Sequence, residues 1–244
     1  MKEKKVTLEL EGVEVKVVYH TYEDFDLNTL LVSFGEKRRV LSTLDGFKRV
    51  KFVANNYTPL RLSERTMMNY SAFKRKLPLA LGINPQDIAF MSTGVNMDNA
   101  AVHESSYQEF KVCCIATAGA KGNALRTGVD KASYVERDGK FFSTHGTINV
   151  ILLTNANLSN GAMARAIITA TEAKTAALQD LNVRSTFAPQ HQATGTGTDN
   201  MIVVSGTEGK PLQTTSGHVK IGELMGFSTK NAVTEALKRH DGLS

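Results

Sequence analysis

Tryptophan is absent from the 244 residues, cysteine occurs twice, proline five times, and aromatic residues make up only 7%. Each shortage excludes something. Single-stranded nucleic acid is bound by basic grooves interleaved with stacking rings, and this chain has too few rings for that. Its net charge of +5 is spread out, and the largest basic cluster, EKRRV (36–40) with FKRVK (47–51), falls in strand-like sequence. No nucleic-acid partner is read from it. Cys113 and Cys114 are adjacent, a strained geometry for a disulfide, so reduced thiols are expected. No run of 18 apolar residues exists, and the opening MKEKKVTLELEGVEVK alternates charged with apolar residues. Neither a membrane span nor a signal peptide is expected, which suits a cytoplasmic protein with no membrane partner.

Familiar catalytic signatures are missing too. There is no GxxxxGK[ST], no GxGxxG opening a helix, no GxSxG, no HExxH and no CxxC pair. Nucleotide hydrolysis, the usual acyl-enzyme elbow and zinc chemistry lose their support, so no metal and no cofactor are expected.

What is present is a repeat. TGVNMDNAAV (93–102) against TGTGTDNMIV (194–203) shares threonine, glycine, aspartate, asparagine and valine in ungapped register. At the same offset Ser42 and Thr43 meet Ser143 and Thr144, and with a one-residue slip VKFVAN (50–55) meets VILLTN (150–155). Between these marks each half carries a helical run ending in LGIN (81–84) or LNVR (181–184). The chain reads as an α/β, mixed α+β fold. Duplicated strand–helix–strand units, about 40–103 and 141–204, pack as one compact body with a mixed sheet. One domain, 1–244, is expected from the length and the 41% apolar content. The two TG…DN loops are expected near each other, about a pseudo-twofold.

Along the chain, residues 4–20 read as a β-hairpin, with strands near 29–34, 38–43 and 48–55. A helix is expected from Ser63 to Leu81, frayed or ended by Pro78. Strands near 87–93 and 99–103 flank the first glycine loop. FKVCCIATAG (110–119) and INVILLTN (148–155) suit buried partner strands, with a turn at ERDGK (136–140) between them. The clearest helix is 159–181, capped by Ser159 or Asn160 and alanine-rich. A long loop at 183–199 and a last helix at about 218–239 complete the chain.

The chemistry-bearing residues cluster around the second glycine loop. Glycine permits close approach, so the N–H groups of residues 195–198 can converge on an anion or a developing oxyanion, and Asp199 stands at the loop's end. The bland alternative is a tight turn whose Asp199 satisfies backbone donors. His218 at a helix start can exchange protons near neutral pH, although a histidine there is more often an ordinary cap. Asp199 and His218 are the leading proton-transfer candidates, with Glu172 and Glu223 as the next carboxylates. Glu172 lies in a polar stripe that can equally be a solvated face. His218 and Glu223, five apart, do not share a helical face as metal ligands would. Asn155 and Asn157 can bind amide groups of a ligand or merely cap a turn. Cys113 and Cys114, in an apolar strand, read as core.

Taken together, TINVILLTNANLSNGAMARAIITATEAKTAALQDLNV (147–183), TGTGTDN (194–200) and SGHVKIGELMGFSTKNAVTEAL (216–237) resemble the adenosylcobinamide amidohydrolases of corrinoid salvage. MSTGVNMDNAAV (91–102) and TAGAKGNALRTGVD (117–130) fit the same pattern, so the resemblance spans about residues 40–238. It implies hydrolysis of the amide between the corrin ring and the aminopropanol tail, with a small-molecule corrinoid as substrate. It transfers motifs without residue roles. Substrate contacts are expected from Thr194, Gly195, Thr196, Gly197 and Thr198. Others are expected from Thr93, Gly94, Asn96 and Asp98 of the first loop, and from Asn123, Asn155 and Asn157. A non-catalytic corrinoid-binding or carrier protein is the alternative, and a homo-oligomer is compatible with either.

Overall fold

The computed structural model describes residues 2–67, 69–132, 135 and 146–244, so the ERDGK turn and the Ser143–Thr144 mark lie outside the described residues. β1 (Lys2–Val6) and β2 (Val13–Tyr22) form the expected N-terminal hairpin, and β3 (Phe25–Ser42) with β4 (Gly46–Tyr57) forms a longer one. Then come α1 (Leu60–Met67), α2 (Tyr70–Ala80), β5 (Ile88–Thr93), β6 (Ala101–Tyr107), β7 (Phe110–Gly119) and a short β8 (Ala124–Leu125). The second half runs β9 (Thr147–Thr154), β10 (Ala156–Leu158), α3 (Asn160–Asp180), β11 (Gly195–Thr196), β12 (Asn200–Val204), β13 (Glu208–Leu212) and α4 (Lys220–Asp241).

Nine strands make one curled mixed sheet in the order β1-β2-β3-β12-β9-β7-β6, with β4 on the other edge of β3 and β5 beyond it. Period-two alternation decides what each face buries. On β7, Cys114 and Ala116 pack outward against α3 and α4, while Cys113 and Ile115 face inward with Ile151 and Leu153 of β9 and Val53 of β4. On the far side Leu31, Ala54, Ile88 and Phe90 turn outward onto Leu62, Phe73 and Leu77 of α1 and α2. The layers are therefore helix, sheet, sheet, helix, with the curled sheet folded over its own apolar face.

The strand–helix–strand units are there. β4 and β5 pair in parallel across α1 and α2, and β9 and β12 pair in parallel across α3. The glycine loop follows the second strand of the first unit but precedes that of the second. Two local expectations change. The strands near 29–34 and 38–43 are one strand, because both halves pair with β4; the break between them is only a register shift between Ser33 and Arg38, where the hairpin passes from one layer to the other. The helix from Ser63 to Leu81 is two, since Asn69 caps α2 through the N–H of Ala72, and Pro78 is carried inside α2. No helix among the described residues is long and apolar enough to cross a membrane.

Candidate functional site at the glycine-loop end

Both glycine loops reach the same end of the sandwich. The carboxamide of Asn149, near the start of β9, donates to the Ser92 carbonyl at the end of β5, and the N–H of Ile148 donates to Asp199 at the end of the second loop (3.0 Å each). Gly119, at the end of β7, lies between them. A Cβ there would meet Val95 of the first loop, and its strand partner is Thr147.

The second loop is organised around its own carboxylate. Asp199 Oδ1 accepts from the Thr196 hydroxyl (2.5 Å) and from Ile148 N–H; Oδ2 accepts from Thr196 N–H (3.1 Å) and from Lys174 Nζ. Lys174 comes from α3, whose alanine face (Ala166, Ala170, Ala177) lets the helix lie close enough for a buried lysine to reach the loop. Gly195 is required by this approach, because a Cβ there would fall 2.4 Å from Asp199 Oδ2 and 2.5 Å from Lys174 Nζ. The first anion seen by this nest is thus Asp199. The N–H of Thr196 is turned onto it, not outward to an oxyanion, and Thr194 N–H is taken by the Leu125 carbonyl.

Around that core the loop end is knit by hydroxyls and amides. Thr147 donates to the Thr198 carbonyl (2.6 Å) and Thr198 to the Gly146 carbonyl (2.8 Å). Buried Asn123 donates to the same Gly146 carbonyl (2.8 Å) and to the Thr198 hydroxyl (3.4 Å), with Gly197 packed against it. In the first loop, Thr93 Oγ1 accepts from Val95 N–H, and Asn96 braces Asp98 N–H while accepting from Asn28; Gly94 is exposed. Asp98 is exposed and turned to the N-terminal hairpin. It accepts from the Tyr19 hydroxyl (2.5 Å) and lies 3.7 Å from Lys4. That carboxylate pushes the Tyr19 pKa up to about 12, chiefly through the hydrogen bond. The repeated aspartates therefore differ in kind: one is shielded and paired with lysine, the other is at the surface.

Five expected site residues stand elsewhere. His218 and Glu223 are exposed at the start of α4, held by Ser216 (3.1 Å) and Lys220 (2.7 Å). The 22 residues of α4 span about 33 Å. Its last turn is the part at the loop end, where Asp241 accepts from Ala120 N–H. Asp199 and His218 are thus not a pair; nor does His218 cap the helix, since no side chain bonds the α4 N-terminus. Asn155 and Asn157 lie at that same far end. Asn155 is used up by Lys111 N–H, the Glu109 carbonyl and Glu208, and Asn157 accepts from Arg39. Glu172 is exposed on α3, away from the buried face.

Sequence reasoning missed Lys174, Asn55, Thr117, Thr147 and Asn149. The signals were faint but present: Lys174 falls on the helical spacing of the alanine face, and Asn149 interrupts the apolar run TINVILLT. Cys113 and Cys114 are buried, and burial pushes both thiols up, Cys114 to about 12. Among the described residues no three His, Cys, Asp or Glu side chains gather as a metal site. A cavity of about 240 Å³ lined by Asp45, Lys48, Lys74 and Arg75 lies by α2 and β5, apart from the loop-end residues and small for a corrinoid.

Comparison with known proteins gives the family of the chain. The adenosylcobinamide amidohydrolase family matches residues 14–244. An uncharacterized protein of Methanocaldococcus jannaschii is 45% identical over 248 residues, 96% of each chain. The adenosylcobinamide amidohydrolase of Methanosarcina mazei is 30% identical over 176 residues, 72% of each. Among solved structures, a Pyrococcus horikoshii OT3 protein is similar at TM-score 0.49 and 10% identity, over 94% of this chain and 85% of that one. The L-aminopeptidase D-Ala-esterase/amidase of Ochrobactrum anthropi is similar at TM-score 0.41 and 9% identity, over 94% and 84%. On the extent of the family match, from the second β-strand to the last residue, this chain belongs to the adenosylcobinamide amidohydrolase family.

Proposed function

We propose that the chain hydrolyses the amide joining the corrin ring of adenosylcobinamide to its aminopropanol tail. The products are adenosylcobyric acid and 1-aminopropan-2-ol, and the step returns cobinamide to cobamide (vitamin B12 coenzyme) assembly. The observation that carries this is family membership over residues 14–244. The loop end supports it chemically. A corrinoid is a disc rimmed by carboxamides, and the half-buried hydroxyls of Thr194 and Thr198 are neutral acceptors of the matching kind.

Within this reading the reaction centre is the Lys174–Asp199 pair with Thr196, the most shielded ion pair among the described residues. Water attacks the amide carbonyl, passing its proton through the Thr196 hydroxyl, which already donates to Asp199. The Lys174 ammonium steadies the oxyanion of the tetrahedral intermediate. The C–N bond then breaks, and the amine leaves with the proton that Asp199 took. Incubation with adenosylcobinamide and assay for free aminopropanol tests this; a corrinoid carrier would bind and release none.

A further inference from the structure

The cavity of about 240 Å³ lies where α2 meets the turn between β3 and β4 and the start of β5, with none of the glycine-loop residues on its wall. Its charges do not balance. Lys48 of β4 and Lys74 and Arg75 of α2 line it against one carboxylate, Asp45, so three cations face one anion and two positive charges are left over. Asp45 accepts from Lys74 Nζ (2.6 Å) and holds that ammonium at the wall. Lys48 has no such partner; its Nζ donates to the Ile88 carbonyl (2.8 Å) at the start of β5. An ammonium carries three N–H donors and each lysine uses one in this way, so each keeps two for a ligand. Arg75 is exposed and makes no hydrogen bond or ion pair among the described residues, which leaves its guanidinium fork open. Asp87, close by in sequence, is already taken by Lys37 (2.6 Å). Like charges gathered at one cavity repel, and an anion placed among them is attracted by all three. The remaining wall is apolar, formed by Ile88 and Phe90, each 2% exposed.

We propose that this cavity binds a phosphate monoester whose organic part is small and apolar. Such an ester carries close to two negative charges above neutral pH and three strong acceptor oxygens, which match the excess charge and the free donors of Lys48, Lys74 and Arg75. The group on its fourth oxygen covers Ile88 and Phe90. The volume falls below the roughly 300–1,000 Å³ of pockets for drug-sized ligands, which restricts the organic part to about the size of one ring. No residue of this site belongs to the Lys174–Asp199 centre, so it stands whether or not the chain is an amidohydrolase.

Calorimetric titration of the full chain with phenyl phosphate, at about pH 8 and fixed ionic strength so that the ester is doubly charged, tests this. Saturable one-to-one binding is expected, tighter than that of inorganic phosphate by about 3-fold or more because the ring buries apolar surface. Lys48→Met and Arg75→Met should each weaken it by on the order of 10-fold, as loss of a charged hydrogen-bond donor does. Arg49→Met and Lys76→Met remove exposed cations that do not line the cavity, and should leave binding within about 2-fold of wild type. Where Lys48→Met does not fold by circular dichroism, Arg75→Met carries the comparison, since Arg75 is exposed and holds nothing in place. Absence of saturable binding at millimolar ester overturns the proposal. Losses in Arg49→Met or Lys76→Met equal to that in Arg75→Met overturn it too, as general attraction to a basic surface. Inorganic phosphate that binds as tightly as phenyl phosphate would overturn the assignment to an ester.

Discussion

Lys174 of α3 and Asp199 of the second glycine loop form an ion pair shielded from water, with 9% and 17% of their side chains exposed. Breaking such a pair from one side strands a charge that has lost most of its water, which costs more than the pair itself contributes. Lys174→Met should therefore lower stability by about 2–4 kcal/mol in urea unfolding. The double variant Lys174→Met with Asp199→Asn should recover part of that loss. Strict additivity of the two single effects would show that the groups do not interact.

The two repeats should respond oppositely to one added methyl group. At Gly195 a Cβ meets Asp199 and Lys174 head-on, whereas at Gly94 nothing lies within 4 Å. Gly195→Ala should destabilise by about 1–3 kcal/mol and depress turnover, as overpacking does. Gly94→Ala should stay within about 0.5 kcal/mol of wild type. Thermal unfolding of both variants checks this, and equal effects would contradict the asymmetry.

Turnover should follow the same asymmetry. Asp199→Asn should reduce kcat by on the order of 10² to 10⁴, the usual effect of losing a general acid or base. Asp98→Asn, at the surface beside Tyr19, should stay within a few-fold of wild type. His218→Ala should also leave kcat nearly unchanged, because His218 sits at the far end of α4 with Ser216. A large loss in His218→Ala would mean that the loop end is not where the chemistry happens.

Acid should weaken the fold through His20. Its ring, half-buried and bonded to Thr29 through Nε2 (2.9 Å), has its pKa lowered from 6.5 by burial, against a smaller opposing pull from the Thr21 backbone. The folded state thus holds the neutral ring. No penalty applies above pH 6.5, and stability falls as pH drops below it, because the unfolded chain takes up the proton first. Melting temperatures between pH 7.5 and pH 5 should show a smaller decline in His20→Gln than in wild type.

Local signals carried much of the architecture. Ser159 before an alanine-rich run marked α3, and Ser159 does cap it through Ala162 N–H (3.1 Å). The unbroken apolar run 110–119 coincides with β7. What escaped was decided by pairing across the fold. The bend between Ser33 and Arg38 arises because β3 is shared between two layers, which no window of sequence reveals. The repeat pointed to two loops that do meet at one end of the molecule, but it suggested equivalent aspartates. Their difference is set by Lys174 on one side and Tyr19 on the other, at distant points of the chain. His218 looked reactive from its place at a helix start, yet that end of α4 is the far one.

The central claim is that this chain cleaves the tail amide of adenosylcobinamide. It is tested most directly by a time course of wild type with that compound, quantifying 1-aminopropan-2-ol by mass spectrometry and the corrinoid product by chromatography. The account predicts one aminopropanol released per adenosylcobyric acid formed, over many turnovers, and a rate depressed at least about 10²-fold in Asp199→Asn. Saturable corrinoid binding with no aminopropanol release would contradict it and mark the chain as a corrinoid-binding protein.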